Sequence, residues 1–276
     1  MSETILQVRD LYFSYDGSAP ALDGVSLSVQ AGERVAVLGA NGAGKSTFFL
    51  CLNGVLTPAR GEIALGGEPV GGKARRRLCE QVGIVFQNAD EQILAPTVAA
   101  EVSFGPVNLR LPREEVARRV DDALAYMELT PLRARPPHEL SGGEKKRVTI
   151  ADVLAMESRV LLLDEPAASL DPAGAARLEQ VLARLHEGGK TLLISTHDMD
   201  FALRWADRVV VFAEGRVAAD GAPAAVLRDA ALLARARLRP PLLVEVVEAL
   251  RGSGVWAADM GCPRTIQELE RGLLRR

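Results

Sequence analysis

The stretch GANGAGKST, from Gly39 to Thr47, follows the pattern G-x-x-x-x-G-K-[ST] between a predicted strand, RVAVL (34–38), and a predicted helix, KSTFFLCLNGVL. Glycines let backbone N–H groups converge on phosphate oxygens, and the following helix presents its positive end to the same anion. Lys45 supplies a positive charge for β- and γ-phosphates, and the Ser46 hydroxyl can bind Mg²⁺. The stretch therefore predicts a phosphate site.

Two adjacent carboxylates, Asp164 and Glu165, close the apolar stretch RVLLLDEP (159–166). Carboxylates beside a buried strand are costly unless they have a function. Next to a phosphate site, Asp164 suits the Mg²⁺ shell and Glu165 suits polarising an attacking water. The pair therefore predicts hydrolysis at the phosphate site.

A third motif, LSGGEKKR, opens a predicted helix in which Ser141 and Glu144 have the spacing of a capping box. Gly142 and Gly143 leave the first turn without side chains, and a bare helix N-terminus attracts anions. A capping box does not need tandem glycine, and glycine weakens a helix. The motif therefore favours close approach of this backbone to a ligand.

The elements around these motifs indicate the fold class. The stretches ILQVRDLYFSY and VSLSVQ predict antiparallel strands, and later strands alternate with helices, which predicts a parallel-rich α/β core. Between Thr97 and Glu157 the period becomes helical, with one apolar face formed by Val116, Val120, Leu124 and Met127. We expect a core with an antiparallel β subdomain at 1–87 and 159–220, a helical subdomain at 88–158, and a helical C-terminal extension at 221–276.

Composition narrows the function classes. The 276 residues are 48% hydrophobic with a net charge of -3, so bulk nucleic-acid affinity is not expected. The three cysteines and three histidines are scattered, which argues against disulfides and zinc. We expect neither a signal peptide nor a membrane span. The basic runs KARRR (73–77) and RARLR (235–239) are more typical of solvated helix faces than of nucleic-acid binding.

Five motifs, GANGAGKST, LSGGEKKR, LLLDEP, SLDP and STHD, occur in the order of the Walker A, signature, Walker B, D-loop and H-loop motifs of ABC-type ATPases. Residues 4 to 220 resemble that family. The resemblance implies a P-loop NTPase core with a RecA-like mixed sheet, ATP and Mg²⁺ as ligands, and ATP hydrolysis. It also implies a head-to-tail homodimer, in which the signature motif of one subunit contacts the γ-phosphate that Lys45 of the other subunit holds.

The resemblance assigns roles to individual residues. Lys45, Glu165 and His197 would be catalytic, with His197 holding the γ-phosphate and water, and Asp171 would link the two sites. Tyr15 in FSYDG would stack on adenine. The remaining ATP contacts would come from Gly39, Ala40, Asn41, Gly42, Ala43, Gly44, Lys45, Ser46, Thr47, Gln87 and Asp164. Mg²⁺ would be bound by Ser46, Gln87 and Asp164. The signature contacts in trans would come from Ser141, Gly142, Gly143 and Glu144.

Two positions depart from the family pattern. In DEPAASLDP, Ala167 replaces the usual Thr and Ser169 replaces a frequent Gly. Neither change removes a catalytic side chain, so we expect full ATPase competence.

The stretch FQNADEQILAPTVAAEVSFGPVNL resembles the cobalt/nickel and energy-coupling-factor importer ATPases. The resemblance implies a subunit at the cytoplasmic face of the cell membrane, peripheral to an integral-membrane coupling subunit and a substrate-binding membrane subunit. Gln87 would sense the helical subdomain, and we predict that Ile93, Leu94 and Pro96 contact the membrane partner. The transported ion would be selected in a partner.

Two alternatives remain open. Vitamin-importing relatives share much of the pattern, so a vitamin transporter with a sister ATPase chain is the first. The second is a soluble ABC ATPase that acts on ribosomes or DNA. Such proteins usually have two cassettes in one chain or a coiled-coil insertion, and neither is seen here.

Overall fold

The computed structural model describes residues 3–17, 19–168, 170–257 and 260–274, so the departure at Ser169 lies outside the described residues. The strands are β1 (Thr4–Phe13), β2 (Leu22–Gln30), β3 (Arg34–Leu38), β4 (Arg60–Leu65), β5 (Glu68–Pro69), β6 (Val82–Val85), β7 (Val160–Asp164), β8 (Thr191–Ser195), β9 (Arg208–Ala213) and β10 (Arg216–Gly221). The helices are α1 (Lys45–Asn53), α2 (Arg76–Gln81), α3 (Ala89–Gln92), α4 (Val98–Asn108), α5 (Arg113–Tyr126), α6 (Gly142–Ala155), α7 (Pro172–Glu187), α8 (Met199–Trp205), α9 (Pro223–Val226), α10 (Ala230–Arg235), α11 (Leu242–Gly252) and α12 (Ile266–Leu274).

Two sheets form the framework. A four-stranded antiparallel sheet has the order β2-β1-β4-β5, and a six-stranded sheet has the order β10-β9-β3-β8-β7-β6. In the larger sheet all neighbouring strands are parallel except β9 and β10. Parallel strands bring their carboxyl ends to one edge, and this edge carries the predicted phosphate loop after β3 and the carboxylates after β7.

The larger sheet is buried on both faces, as its nearly continuous apolar strands require. In β3, Val35 and Val37 pack with the antiparallel sheet and α1, whereas Ala36 and Leu38 pack with the helices of the opposite face. This alternation follows the two-residue period of a strand. The sheet therefore separates two apolar cores and is packed on both faces.

Helices α4, α5 and α6 pack against one another. The predicted apolar face of α5 is buried at Val120 and Leu124, while Val116 is partly buried and Met127 follows the helix as its C-cap. Helices α10 and α11 add Leu232, Leu233 and Val244 to the same core. Within the described residues, no helix is both long and apolar enough to cross a membrane.

The predicted fold class is confirmed: a mixed α/β core carries an antiparallel sheet, a helical insertion and a helical C-terminal part. The proposed boundaries at 88–158 and 221–276 stay predictions. Strand β6 ends at Val85, one residue before the apolar Phe86. The Phe86 N–H donates to Gln92 Oε1 (3.0 Å) instead of a neighbouring strand, so Phe86 and Gln87 lie outside the sheet.

Candidate nucleotide site

The loop between β3 and α1 has a backbone that requires glycine at two positions. Gly39 has φ 152°, and a Cβ there would lie 2.5 Å from the Phe212 carbonyl oxygen. Gly44 has φ 104°, and its Cβ would lie 2.6 Å from the Ala21 carbonyl oxygen. A side chain at either position would collide with backbone. The local sequence therefore fixes the path of the loop against β9 and the start of β2.

Lys45 lies buried at the first position of α1 and turns its ammonium into the loop. Its Nζ donates to the carbonyl oxygens of Gly39 (2.6 Å) and Ala40 (3.2 Å). Burial lowers the pKa of Lys45, while the nearby carboxylates of Glu165 and Asp164 raise it. The loop thus encloses a positive charge that faces two carboxylates, as phosphate binding with a metal ion requires.

The carboxylate pair at the end of β7 is held by the neighbouring strand β8. Asp164 pairs in register with Ser195, and the Ser195 Oγ donates a hydrogen bond to Asp164 Oδ1. The Glu165 N–H lies 3.1 Å from both the Ser195 carbonyl oxygen and its Oγ. Glu165 adopts φ 44°, a left-handed conformation that turns the chain out of the strand. Ser195 therefore orients the Asp164 carboxylate and holds the backbone of Glu165.

His197 lies at the mouth of the site. Its Nδ1 is 2.9 Å from Glu165 Oε2. The His197 side chain is 76% exposed, whereas that of Glu165 is 12% exposed. The imidazole therefore stands between the buried carboxylate and solvent, where a phosphate group and a water molecule would enter.

A pocket of about 310 Å³ joins these groups. It is lined by Asn41, Gly42, Ala43, Lys45, Ser46, Gln87, Asp164, Glu165 and His197. The oxygen donors of Ser46, Gln87 and Asp164 share this pocket, and such hard oxygen ligands fit Mg²⁺. The structure thus brings together the three predicted metal ligands and all three predicted catalytic residues.

Tyr15 lies beside the phosphate loop. Its hydroxyl is 3.1 Å from Thr47 Oγ1, and its ring packs edge-on against Phe13 with ring centroids 5.0 Å apart. Tyr15 is 67% exposed, so a ring face is available for a flat ligand at the loop.

The signature residues lie in a second pocket of about 400 Å³. Ser141 and Glu144 form the predicted capping box: Glu144 N–H donates to Ser141 Oγ (3.3 Å), and Ser141 N–H donates to Glu144 Oε2 (2.8 Å). These bonds from Ser141 lower the pKa of Glu144. Asp171 lines the same pocket and caps α7 through the Gly174 N–H (2.7 Å). The residues that line this pocket and the nucleotide pocket do not overlap.

A family model described as ABC transporter matches residues 22–168 of this chain. The chain belongs to the ABC transporter ATPase family. It therefore binds ATP and hydrolyses it in coupling to transport. The recognition made from the five motifs is confirmed.

Two relatives align with nearly the whole length of this ABC ATPase. The chain is 43% identical over 272 residues to the "Energy-coupling factor transporter ATP-binding protein EcfA" of Methanocaldococcus jannaschii, covering 98% of this chain and 97% of that protein. It is 48% identical over 264 residues to the "Cobalt import ATP-binding protein CbiO" of Rhodobacter capsulatus, covering 95% and 94%.

A solved structure, cbiO1 from Clostridium perfringens, which is described as part of the ABC transporter complex cbiONQ, superposes with a TM-score of 0.75. It is 40% identical and covers 89% of this chain and 99% of its own.

The segment predicted to contact a partner is only partly at the surface of this ABC ATPase. Leu94 is 81% exposed and Pro96 is exposed, but Ile93 is half-buried and packs against the core. On α4, Phe104 and Val107 are exposed by 61% and 57%. Both lie outside the three contact residues predicted from the sequence, and exposed large apolar residues on one helix face are a signal of contact.

The buried hydrogen-bonding groups were also missed. Ser195 orients Asp164, and the Glu101 carboxylate accepts from the N–H groups of Leu94 (2.8 Å) and Ala95 (2.6 Å). Lys146 bonds to the chain at Gln87. A serine at the end of the apolar run TLLIS was a usable signal for the first; the other two depend on packing between distant segments.

Proposed function

We propose that this chain is the ATP-hydrolysing subunit of a membrane importer and energises uptake of a transition-metal ion, cobalt or nickel. One structural observation supports the proposed coupling to a partner subunit. Gln87 lines the nucleotide pocket, and the same short segment reaches the surface at Leu94, which is 81% exposed. A change at the nucleotide can therefore move a surface that is available to another subunit.

The proposed hydrolysis assigns a task to each pocket residue. Lys45 and the N–H groups of the phosphate loop bind the β- and γ-phosphates of ATP. Glu165 accepts the proton of the attacking water, and His197 holds the γ-phosphate and that water. Ser46, Gln87 and Asp164 would hold Mg²⁺, which neutralises charge developing on the phosphates.

The separation of the two pockets supports the proposed head-to-tail homodimer. The signature pocket offers backbone N–H groups and a hydroxyl at a helix N-terminus, which suit an anion, while Lys45 and the carboxylates line the other pocket. A second copy would bring Ser141 and Gly143 to the γ-phosphate held by Lys45, with Asp171 linking the sites. ATP binding would then close the dimer, and hydrolysis would reopen it.

The proposed membrane contact is the surface formed by Leu94, Pro96, Phe104 and Val107, with Ile93 supporting it from below. Its apolar character fits an integral-membrane coupling subunit, and a substrate-binding membrane subunit would complete the transporter. The chain would lie at the cytoplasmic face of the membrane as a peripheral subunit. The net charge of -3 gives no support to nucleic-acid binding.

The identity of the transported substrate is the most specific part of the proposal. The relative named for cobalt import supports a metal ion, and the relative named for an energy-coupling factor supports the vitamin alternative equally. Because ion selection is placed in a membrane partner, the ATPase geometry is compatible with both substrates. We favour the metal ion because the stretch GEKKRVTIADVLAME and the tail stretch RPPLLVEVVEALR resemble the cobalt/nickel branch most.

Uptake in proteoliposomes tests this proposal. The complex purified through this chain is reconstituted, and labelled Co²⁺, Ni²⁺ and vitamin uptake are measured with ATP supplied on the ATPase side. We expect ATP-dependent Co²⁺ or Ni²⁺ uptake that Glu165→Gln abolishes. Vitamin uptake, or a sister ATPase chain in the complex, would favour the first alternative, and co-purification with ribosomes without membrane subunits would favour the second.

Leu94→Glu provides a matched variant for the coupling surface. The side chain is exposed, so the folded ATPase should tolerate the charge and retain its partner-free ATP hydrolysis. Uptake should be lost because a charge would be placed in an apolar contact. Retained uptake would remove this surface from the coupling role.

A further inference from the structure

Lys146 is a buried lysine on the first turns of the signature helix α6, and it is only 4% exposed. Its Nζ donates to the carbonyl oxygens of Phe86 (2.9 Å) and Gln87 (2.8 Å). These residues follow the end of β6 and precede the surface segment at Leu94. A side chain of the signature helix is thus hydrogen-bonded to the backbone of Gln87, a predicted nucleotide ligand.

The burial of the Lys146 ammonium restricts where this contact can form. A buried ammonium is costly unless it is hydrogen-bonded, so two carbonyl acceptors at one point fix its position. Burial lowers the pKa of Lys146 to about 8, and Asp164 opposes this shift. The Phe86 N–H is bound by Gln92 Oε1 (3.0 Å), so this stretch of backbone is held from two sides.

The same side chain connects the two pockets of one chain. Lys146 lines the pocket that contains Ser141 and Gly143, and Gln87 lines the pocket that contains Lys45. Hydrogen bonds of 2.8 and 2.9 Å therefore join the two half-sites directly. In a head-to-tail dimer these half-sites belong to different ATP molecules.

The neighbouring Lys145 offers a contrast on the same helix. Its Nζ lies 2.6 Å from Asp90 Oδ1, but the Asp90 side chain is 68% exposed. An ion pair with one exposed partner is screened by water and contributes little. Lys145 is therefore a matched control for the loss of a lysine from the same turn.

We propose that Lys146 is a positioning residue for ATP hydrolysis, which holds the Gln87 backbone so that the Gln87 side chain stays in the nucleotide pocket and moves with the signature helix. This inference rests on the proposed role of Gln87 at the nucleotide. Lys146 itself does not touch the reacting atoms in this account; it acts through Gln87.

A double-mutant cycle in the purified ATPase tests the inference. Lys146→Met keeps the length of the side chain and removes the donor, and we expect kcat to fall about tenfold while ATP affinity stays within about twofold. Lys146→Gln keeps a donor without the charge and should lie between wild type and Lys146→Met. Lys145→Met should stay near wild type. In the Gln87→Ala background, Lys146→Met should cause almost no further loss, because Lys146 acts by positioning the Gln87 side chain, which that background already lacks.

The outcomes distinguish the positioning role of Lys146 from the proposed role of Gln87. Multiplicative losses in the double variant would overturn the positioning role of Lys146. An unchanged kcat in Gln87→Ala would instead contradict the proposed role of Gln87 and leave the rest of the nucleotide site standing. If Lys146→Met does not fold, the cycle is run with Lys146→Gln, and additivity there overturns the inference in the same way.

Discussion

The two pockets of this ABC ATPase differ in what they contribute to chemistry. The nucleotide pocket lies at the carboxyl edge of the parallel strands and contains the buried charges of Lys45 and Asp164. The signature pocket lies at a helix N-terminus, where Gly142 is exposed, Gly143 is partly exposed and the capping box already satisfies Ser141 and Glu144. The nucleotide pocket has groups that can position a phosphate and activate a water molecule. The signature pocket has groups that can bind an anion. We therefore predict that neither pocket completes hydrolysis alone.

The largest expected effect comes from a Glu→Gln change, which can be made once in each pocket. Glu165→Gln removes the proposed base and should lower kcat by ~100-fold or more, while ATP binding remains. Glu144→Gln should preserve activity, because Gln also completes a capping box. Steady-state hydrolysis and binding of a fluorescent ATP analogue measure both. Unchanged hydrolysis in Glu165→Gln would remove Glu165 from the role of base.

The second prediction concerns the division of labour between chains. Lys45→Met damages the nucleotide pocket, and Gly143→Asp damages the signature pocket by placing a negative charge where an anion binds. Each variant alone should be inactive. An equimolar mixture should recover about a quarter of wild-type activity, because half of randomly paired dimers carry one intact composite site of two. An unrecovered mixture in which native mass spectrometry detects mixed dimers would contradict a site shared between chains.

A smaller effect is expected at the edge of the nucleotide pocket. Tyr15→Ala should weaken ATP binding by about tenfold, because base–aromatic stacking is lost. Tyr15→Phe keeps the ring and loses only the hydroxyl contact with Thr47, so its affinity should remain near wild type. Titration with ATP and with a pyrimidine nucleotide checks the assignment. Equal weakening in both variants would assign the effect to the hydroxyl instead of the ring.

The smallest effect concerns Asp152, on the far part of the signature helix. Its Oδ1 is buried without a hydrogen-bond partner among the described residues, and burial and the nearby Glu101 raise its pKa well above 3.8. The folded chain therefore binds more protons than the unfolded chain above that pH, and stability falls as pH rises. Asp152→Asn does not titrate, so its Tm should exceed that of wild type by a few degrees at pH 8 and by less at pH 5.

A pH-independent difference in Tm between Asp152→Asn and wild type would show that the Asp152 carboxyl does not hold its proton in the folded state. Asp122→Asn is a suitable control, because Asp122 is exposed on α5 and its side chain pairs with the exposed Arg118.

The sequence predicted what depends on local spacing. The phosphate loop, the Asp164–Glu165 pair and the capping box are each set by residues within one turn or one strand end, and the structure contains them. The serine at the end of TLLIS signals a polar group at the strand end, but its contact with Asp164 depends on the register between two parallel strands. Lys146 stands between two basic residues, Lys145 and Arg147, in the sequence, and only the packing of α6 against the end of β6 shows that it is buried.

The exposed surface shows the same limit. The predicted contact residues Ile93, Leu94 and Pro96 are adjacent in sequence, but Ile93 turns toward the core. Phe104 and Val107 lie on a helix that follows, and their exposure depends on which face α4 turns toward α6. Sequence adjacency therefore predicts a contact segment but not which of its side chains are exposed.

The central claim is that a second copy completes the nucleotide site, and cross-linking between two cysteine variants tests it most directly. Asn41 is exposed on the phosphate loop, and a Cβ at Gly142 would meet no atom within 4 Å, so cysteines fit at both positions. Chains with Glu165→Gln, Cys79→Ser and Cys262→Ala carry either Asn41→Cys or Gly142→Cys and differ in tag length. With ATP and an oxidant, the account predicts a disulfide-linked dimer of one long and one short chain only in the mixture. Cross-links within either variant alone, or no cross-link in the mixture, would contradict it.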